Sequence, residues 1–365
     1  MKSIDPLILA IPGDLHLTER GLENYRAAQW AIEQFNCLIR PDRVVFIGDN
    51  VQDATEAQFD LFQEIIEPLE SPFHVLVGDH DVTANKESAR FLTRWGITYG
   101  EEIVKGYQLY FLNTQEGKPV GMSKDQLVWF EQSLNEASSD PFKTIWFQHN
   151  YPYQIWEDFA GPGIEDWRRL AFQARPEAIF SGHTHYLQMA NDGRNLHVAT
   201  RSIGDPEGGR PGFLLVYLHG NDLALAYRTV DDSGPIVLIT HPRDELLARD
   251  ARHIVSEDDR IQARIWSNSQ VTHVEAQIDQ GSWFSMFSMP PSLEYQNISN
   301  DQSFCDWRAP LNPHFLHKGI HSITVRAETE NRESGSQTIE IMVDSTYRFN
   351  PIPRVRPMVH STKFC

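Results

Sequence analysis

The chain is 365 residues long, 41% hydrophobic and 22% charged, enough for roughly two domains with packed cores. Its 32 basic and 50 acidic residues leave a formal charge of -18, which argues against long nucleic acid as a partner. Without an uninterrupted apolar run of bilayer length, no membrane span or membrane partner is expected.

From the N-terminus, Asp5 and Pro6 precede only a short apolar run, Leu7-Ile8-Leu9-Ala10-Ile11, read as a first strand rather than a leader. It leads into Asp14-Leu15-His16. Leu22, Tyr25, Ala28, Ile32, Phe35 and Ile39 then recur at helical spacing, ending near Pro41. Val44 to Ile47 reads as the next strand and leads into Gly48-Asp49-Asn50. A second helix carries Phe59, Phe62, Ile66 and Leu69, and the strand His74 to Val77 leads into Gly78-Asp79-His80-Asp81. Ser123 with Gln126 predicts a capping box opening a helix through Leu134. The strands Ile145 to Gln148 and Ala178 to Phe180 lead into His149-Asn150 and Gly182-His183-Thr184-His185. Leu196 to Ala199, Phe213 to Tyr217 and Leu223 to Tyr227 follow as consecutive strands, with a hairpin turn at Gly220-Asn221-Asp222. Strands alternating with helices in this way predict an α/β sandwich over residues 1–231.

Residues 232–251 mix a short strand with proline and charge and read as a linker. Residues 252–345 read as an all-β sandwich, with strands at Ile261 to Trp266, Val271 to Ile278, Gly319 to Ala327 and Gln337 to Val343. Trp266, Trp283 and Trp307 are expected in its core. Residues 346–365, with Pro351, Pro353, Pro357, Arg348, Arg354 and Arg356, form an extended tail. Cys37, Cys305 and Cys365 lie far apart without a CxxC pair, so reduced thiols and a cytoplasmic location are expected.

Functional residues in a sheet flanked by helices gather at the carboxyl ends of strands. Five strand ends here deliver carboxylates and imidazoles, a mixture that suits Mn, Fe or Zn better than Ca or Mg alone. Six or more such ligands imply two ions, which together can hold a hydroxide and clamp a phosphoryl group. The bland readings are a turn or cap for Asp42 and Asp53, core packing for His74, and structural or exposed positions for His197 and His219. Tyr151 and Tyr153 read equally as pocket lining or as packing beside Pro152.

The ordered set Asp14-Leu15-His16, Gly48-Asp49, Gly78-Asp79-His80-Asp81, His149 and Gly182-His183-Thr184-His185 resembles the calcineurin-like metallophosphoesterases. Their signature runs DxH, GD, GNH(D/E), His, GHxH, and the resemblance covers about the first 230 residues. It implies that Asp14, His16, Asp49 and His185 hold one metal. Asp49 would bridge to a second, also held by Asp79, His149 and His183. His80 would be the catalytic proton donor, Asp81 would orient its ring, and Asn50 would contact the phosphate, with Tyr151 the candidate substrate contact if its ring lines the pocket. The family usually carries Asn where this chain has Asp79, and the added charge should tighten the second cation and reduce its Lewis acidity.

The C-terminal segment resembles the immunoglobulin-like or fibronectin-like sandwiches that some of these enzymes carry. What the resemblance implies is hydrolysis of a small phosphate ester by a metal-bridging hydroxide, with phosphodiesters, including cyclic nucleotides, favoured. A phosphomonoesterase stays open, as does a binding or regulatory protein that keeps the fold without turnover. No protein partner of the β-sandwich is identified.

Overall fold

The computed structural model describes residues 5–83, 87–117, 120–137, 142–153, 159–289, 304–344 and 354–355. In chain order the first part runs β1 (Leu7–Pro12), α1 (Glu23–Gln34), β2 (Arg43–Phe46), α2 (Glu56–Ile66), β3 (Phe73–Val75), α3 (Ala89–Trp95), β4 (Gly100–Val104) and β5 (Tyr107–Leu112). It continues α4 (Lys124–Ala137), β6 (Lys143–Gln148), α5 (Ile164–Ala174), β7 (Ala178–Ser181), β8 (Gln188–Asn191), β9 (Leu196–Ala199), β10 (Gly212–His219) and β11 (Asp222–Thr229).

These strands make two sheets packed face to face. One has the order β11-β10-β1-β2-β3, with β1, β2 and β3 parallel. In the other, β5, β6, β7 and β9 run parallel, with β4 and β8 added antiparallel. The continuous apolar runs noted in the sequence are explained by burial on both faces. Alternate residues of β1 show this: Leu9 and Ile11 meet Phe111, Phe147 and Phe180 between the sheets. Ile8 and Ala10 face the other way, into a cluster with Phe35, Phe59 and Phe62 from the α1 and α2 side. Tyr110, Trp146 and Ile179 do the same for the second sheet against Phe130, Trp167 and Leu170 of α4 and α5. The layers are therefore α/β/β/α.

Local signals were read with mixed success. The helix expected up to Ile39 stays α-helical only to Gln34, then widens through Phe35–Ile39 before Arg40 turns left-handed ahead of Pro41. At α4 only half of the capping box forms. Ser123 Oγ accepts from the Gln126 amide at 3.2 Å, while the Gln126 side chain turns to Asn113 and Glu116. Glu116 takes its place, accepting from Ser123 N–H at 2.8 Å.

The chain continues as β12 (Ile236–His241), β13 (Asp259–Trp266), β14 (Val271–Ile278), β15 (Phe284–Ser285), β16 (Phe287–Ser288), β17 (Phe304–Leu311), β18 (Gly319–Thr329), β19 (Ser334–Val343) and β20 (Arg354–Val355). Two further sheets, β12-β13-β17-β16 and β15-β14-β18-β19, enclose Ile239, Ile261, Ile265, Val274, Ile323, Val325 and Ile341. Residues 232–251, expected as a linker, thus contribute β12, which pairs with β13 from Ile236 to His241. Trp266 is buried and Trp307 packs on the core, but Trp283 is only half-buried, with the Arg326 guanidinium 4.6 Å above its ring. In the tail, Arg354 and Val355 pair with Asn191 and Ala190 of β8. No helix among the described residues is long and apolar enough to cross a membrane. Cys37 and Cys305 are free thiols, and Cys365 lies outside the described residues.

Candidate metal centre

Because β1, β2 and β3 run parallel, as do β6 and β7, the residues after each strand gather along one edge of the two sheets. Backbone bonds stitch the loops together. His16 N–H donates to Asp49 O at 2.9 Å, Gly182 N–H to His149 O at 2.9 Å, and His183 N–H to Asp14 Oδ1 at 2.7 Å. Five residues hold left-handed backbones: Asp14 (φ 46), His16 (φ 46), Asp49 (φ 51), His183 (φ 67) and His185 (φ 60). For residues with a Cβ this costs of order 1–3 kcal/mol each, and such strain clusters where geometry serves function. Two glycines make the close approach possible. A Cβ on Gly48 (φ 105) would collide with the His149 ring, and one on Gly78 with the Asp49 backbone and carboxylate.

Two donor sets result. Asp14, His16, Asp49 and His185 bring one ligand atom each to within 4.8 Å of one another; Asp49, Asp79, His149 and His183 do the same. Asp49 belongs to both. His16 Nε2 faces His185 Nε2 at 3.1 Å, and His149 Nε2 lies 3.2 Å from His183 Nδ1 and 3.0 Å from Asp79 Oδ1. Asp79 Oδ1 is 2.8 Å from His183 Nδ1. Two facing imidazole lone pairs repel unless a cation or a shared proton lies between them. His149 Nδ1 is 3.0 Å from Ile47 O, a bond that keeps a proton on Nδ1, so Nε2 carries a proton shared with Asp79 or, with a cation bound, a lone pair toward the site. Asp14 Oδ2 is buried with no hydrogen-bond partner among the described residues. Facing nitrogens, an unpartnered buried carboxylate oxygen and a mixed O/N donor set all fit a pair of divalent cations sharing Asp49.

The electrostatics of the site agree with this reading. Burial raises the Asp14 carboxyl above its ordinary range, the positive charge of His149 only partly offsetting it. Burial alone would also raise Asp49 and Asp79, yet both are lowered. His149 outweighs it for Asp49; hydrogen bonds from His149 and His183 outweigh it for Asp79. His149 itself, despite burial, is raised well above the usual histidine range by Asp49 and Asp79. Anionic oxygens crowded around imidazoles attract positive charge to this edge, whether protons or metal.

Other expected residues fall differently. His80 stands at the rim, its Nδ1 2.8 Å from the Gln52 carbonyl and its Nε2 3.9 Å from Asp79 Oδ2. Asp81 does not orient that ring. Its carboxylate is buried and accepts from the amides of Asn50 (3.0 Å), Val51 (3.1 Å) and Gly78 (2.9 Å) and from Asn50 Nδ2 (2.9 Å). The Gln52 carbonyl takes the orienting role. Asn50 is fully buried and donates its side-chain amide to Leu76 O and Asp81. Tyr151 is 3% exposed and packs with Tyr153, Ala190 and Ala199, so its ring is sealed from the open edge. His74 stacks on Phe111 at 3.7 Å, and burial with nearby Arg43 pushes it down to about 4.

The sequence reading missed Asp205. Its Oδ2 lies 3.4 Å from His185 Nδ1, the nitrogen turned away from His16. The signal was a Gly-Asp pair in the loop after a strand: Gly204-Asp205 lies in the loop after β9, as Gly48-Asp49 lies just after β2.

Residues 8–187 match the family model described as calcineurin-like phosphoesterase. The chain is 25% identical over 162 residues to a probable glycerophosphodiester phosphodiesterase from Arcobacter nitrofigilis, covering 41% of this chain and 59% of that protein. It is 27% identical over 175 residues to a probable cyclic nucleotide phosphodiesterase from Synechococcus, covering 46% and 64%. The chain thus spans less than two thirds of the length of these curated relatives. A purple acid phosphatase from yellow lupin (Lupinus luteus) shares the fold, with a TM-score of 0.50 at 16% identity over 62% of this chain and 52% of that one. Strand ends, donor sets and sequence match coincide over the same residues: positions 8–187, which match the calcineurin-like phosphoesterase model, carry both donor sets.

Proposed function

We propose that the chain hydrolyses phosphate esters with two divalent cations, and that phosphodiesters, cyclic nucleotides among them, are its favoured substrates. The observation that carries this reading is the pair of four-residue donor sets joined through Asp49, with His80 at their rim. Asp14, His16, Asp49 and His185 would hold one cation and Asp49, Asp79, His149 and His183 the other; Mn, Fe and Zn all suit the donors. The cations, when bound, supply Lewis acidity toward a phosphoryl oxygen and toward water.

His80 supplies the proton. With Nδ1–H donated to Gln52, Nε2 is the nitrogen free to serve the leaving oxygen. Burial opposes its protonation, but Asp49, the Gln52 carbonyl and Asp79 outweigh burial and raise its pKa, so it carries that proton further up the pH scale. The names of both curated relatives support a diester over a monoester. We assign the C-terminal sandwich to the immunoglobulin-like class, and the free Cys37 and Cys305 support a reducing, cytoplasmic setting.

The test compares hydrolysis of bis-p-nitrophenyl phosphate with that of p-nitrophenyl phosphate by Mn-loaded protein. Faster turnover of the diester is expected. A preference for the monoester would make the chain a phosphomonoesterase, and no turnover of either with both metals bound would make it a binding protein.

A further inference from the structure

The loop after β9 closes against the donor set of Asp14, His16, Asp49 and His185 from a side that no ligand motif occupies. Gly204 N–H donates to Asp14 O at 2.8 Å, and Ser202 Oγ–H donates to the same oxygen at 2.8 Å. Gly204 lies so close to Leu15 and His16, and Gly208 so close to the His185 carbonyl, that neither could carry a Cβ. Loop 202–208 is thereby tied to two of the three chain segments that supply this set, those of Asp14 and His16 and of His185.

Asp205 projects from that loop, and its two oxygens have separate partners. Oδ1 accepts from Glu207 N–H at 3.0 Å, while Oδ2 faces His185 Nδ1 at 3.4 Å. The Asp205 amide itself donates to Ser202 Oγ at 2.7 Å, so the carboxylate leaves a backbone that is already fixed. His185 turns its other nitrogen, Nε2, to His16 Nε2 at 3.1 Å inside the donor set.

We propose that Asp205 is a positioning residue for His185. Its carboxylate keeps the proton on Nδ1, so that the Nε2 lone pair points at the cation held with Asp14, His16 and Asp49. A carboxylate behind a ligating imidazole fixes tautomer and ring orientation and raises ligand basicity. The other donor set obtains the same result from a neutral group, the Ile47 carbonyl behind His149. The two cation positions therefore differ in what stands behind one histidine: an anion for His185, a peptide oxygen for His149. The inference rests on the two-cation reading of the site.

Asp205→Asn isolates the effect. Asn keeps an oxygen for the Glu207 amide, and so the loop turn, while replacing the oxygen that faces His185 with an amide nitrogen. Metal-free protein is titrated calorimetrically with Mn2+. Wild type is expected to take up two equivalents. Asp205→Asn should weaken one of them by about 10–100-fold and leave the other unchanged, and Asp205→Glu should recover part of the loss. In Zn-loaded, 15N-histidine-labelled protein, His185 should be protonated at Nδ1 in wild type and lose that single tautomer in Asp205→Asn. Two equivalents bound by the variant as in wild type, or an unchanged His185 tautomer, overturn the role of Asp205. Fewer than two equivalents in wild type overturn the two-cation reading instead, so the two failures are told apart.

Discussion

His80 and Asp81 are neighbours in sequence with opposite jobs in space, and substitution should separate them. His80 is half-buried at the rim, and among the described residues its ring nitrogens touch only Gln52 within hydrogen-bond distance. His80→Ala should lower turnover of bis-p-nitrophenyl phosphate by about a hundredfold or more, the usual range for a lost general acid, while thermal stability and Mn2+ stoichiometry stay as they are. Asp81 ties four N–H groups from three positions to one carboxylate. Asp81→Asn sets an amide nitrogen against some of those donors, and should cost about 1–3 kcal/mol per donor left unsatisfied. It should lower the melting temperature of metal-free protein; a lower turnover at unchanged melting temperature would return Asp81 to His80. The ligand motifs were legible because each follows an apolar run and stands beside a glycine or another ligand. Where a side chain turns was not. Asn50, Asp81 and Tyr151 lie within two residues of a ligand, yet backbone donors, carbonyls and packing claim all three.

Strands were readable where alternation or a ligand motif marked them, while β5, buried along its whole length, was not read. β13, β14, β18 and β19 lie where alternation placed them, extended by a few residues at most. The short strand read within residues 232–251 is β12, though Pro235, Pro242 and a run of charges dressed its surroundings as a linker, and β17 escaped because Asp306, Arg308 and Pro310 interrupt its pattern. β12 also ends in a histidine that joins the two halves. His241 lies between carboxylates, Nδ1 2.9 Å from Asp222 Oδ1 of β11 and Nε2 2.8 Å from Asp259 Oδ2 of β13. Burial disfavours its charge, but these two partners outweigh burial and push it up to about 9. A folded pKa above the unfolded value of about 6.5 means the protonated bridge contributes fully below that pH and fades as pH rises through 9. The shift corresponds to at most about 3 kcal/mol. Urea midpoints should therefore show wild type more stable than His241→Gln at pH 6, with the gap narrowing by pH 9.5. A gap of equal size at both pH values would mean the bridge is not ionic.

The acidic chain forms one packed body rather than two tethered ones. Ile236 and Leu238 of β12 and Trp266 of β13 belong to the same buried apolar cluster as Phe213 and Tyr217 of β10. Arg264 seals the seam, making two 2.7 Å bonds to Asp306 while its guanidinium lies 4.0 Å from the Phe304 ring and 5.4 Å from that of Tyr217. On the second sheet, half-buried Glu177 meets Arg243 at 2.7 Å and Lys143 and Arg249 at 3.5 Å. Burial would raise its carboxyl, but those cations, Arg243 foremost, hold it at about 2. None of this was visible in the sequence, because a residue that fills its own sandwich and one that fills a seam carry the same apolar signature. Trp266 is 1% exposed, so truncation leaves a large cavity in a cluster that also contains the outer face of β10. Trp266→Ala should cost about 3–5 kcal/mol. Since the loss falls on the junction, calorimetric unfolding should pass from one cooperative transition to two, the first belonging to the C-terminal sandwich. A single transition at the wild-type temperature would show that the sandwiches do not depend on each other through this side chain.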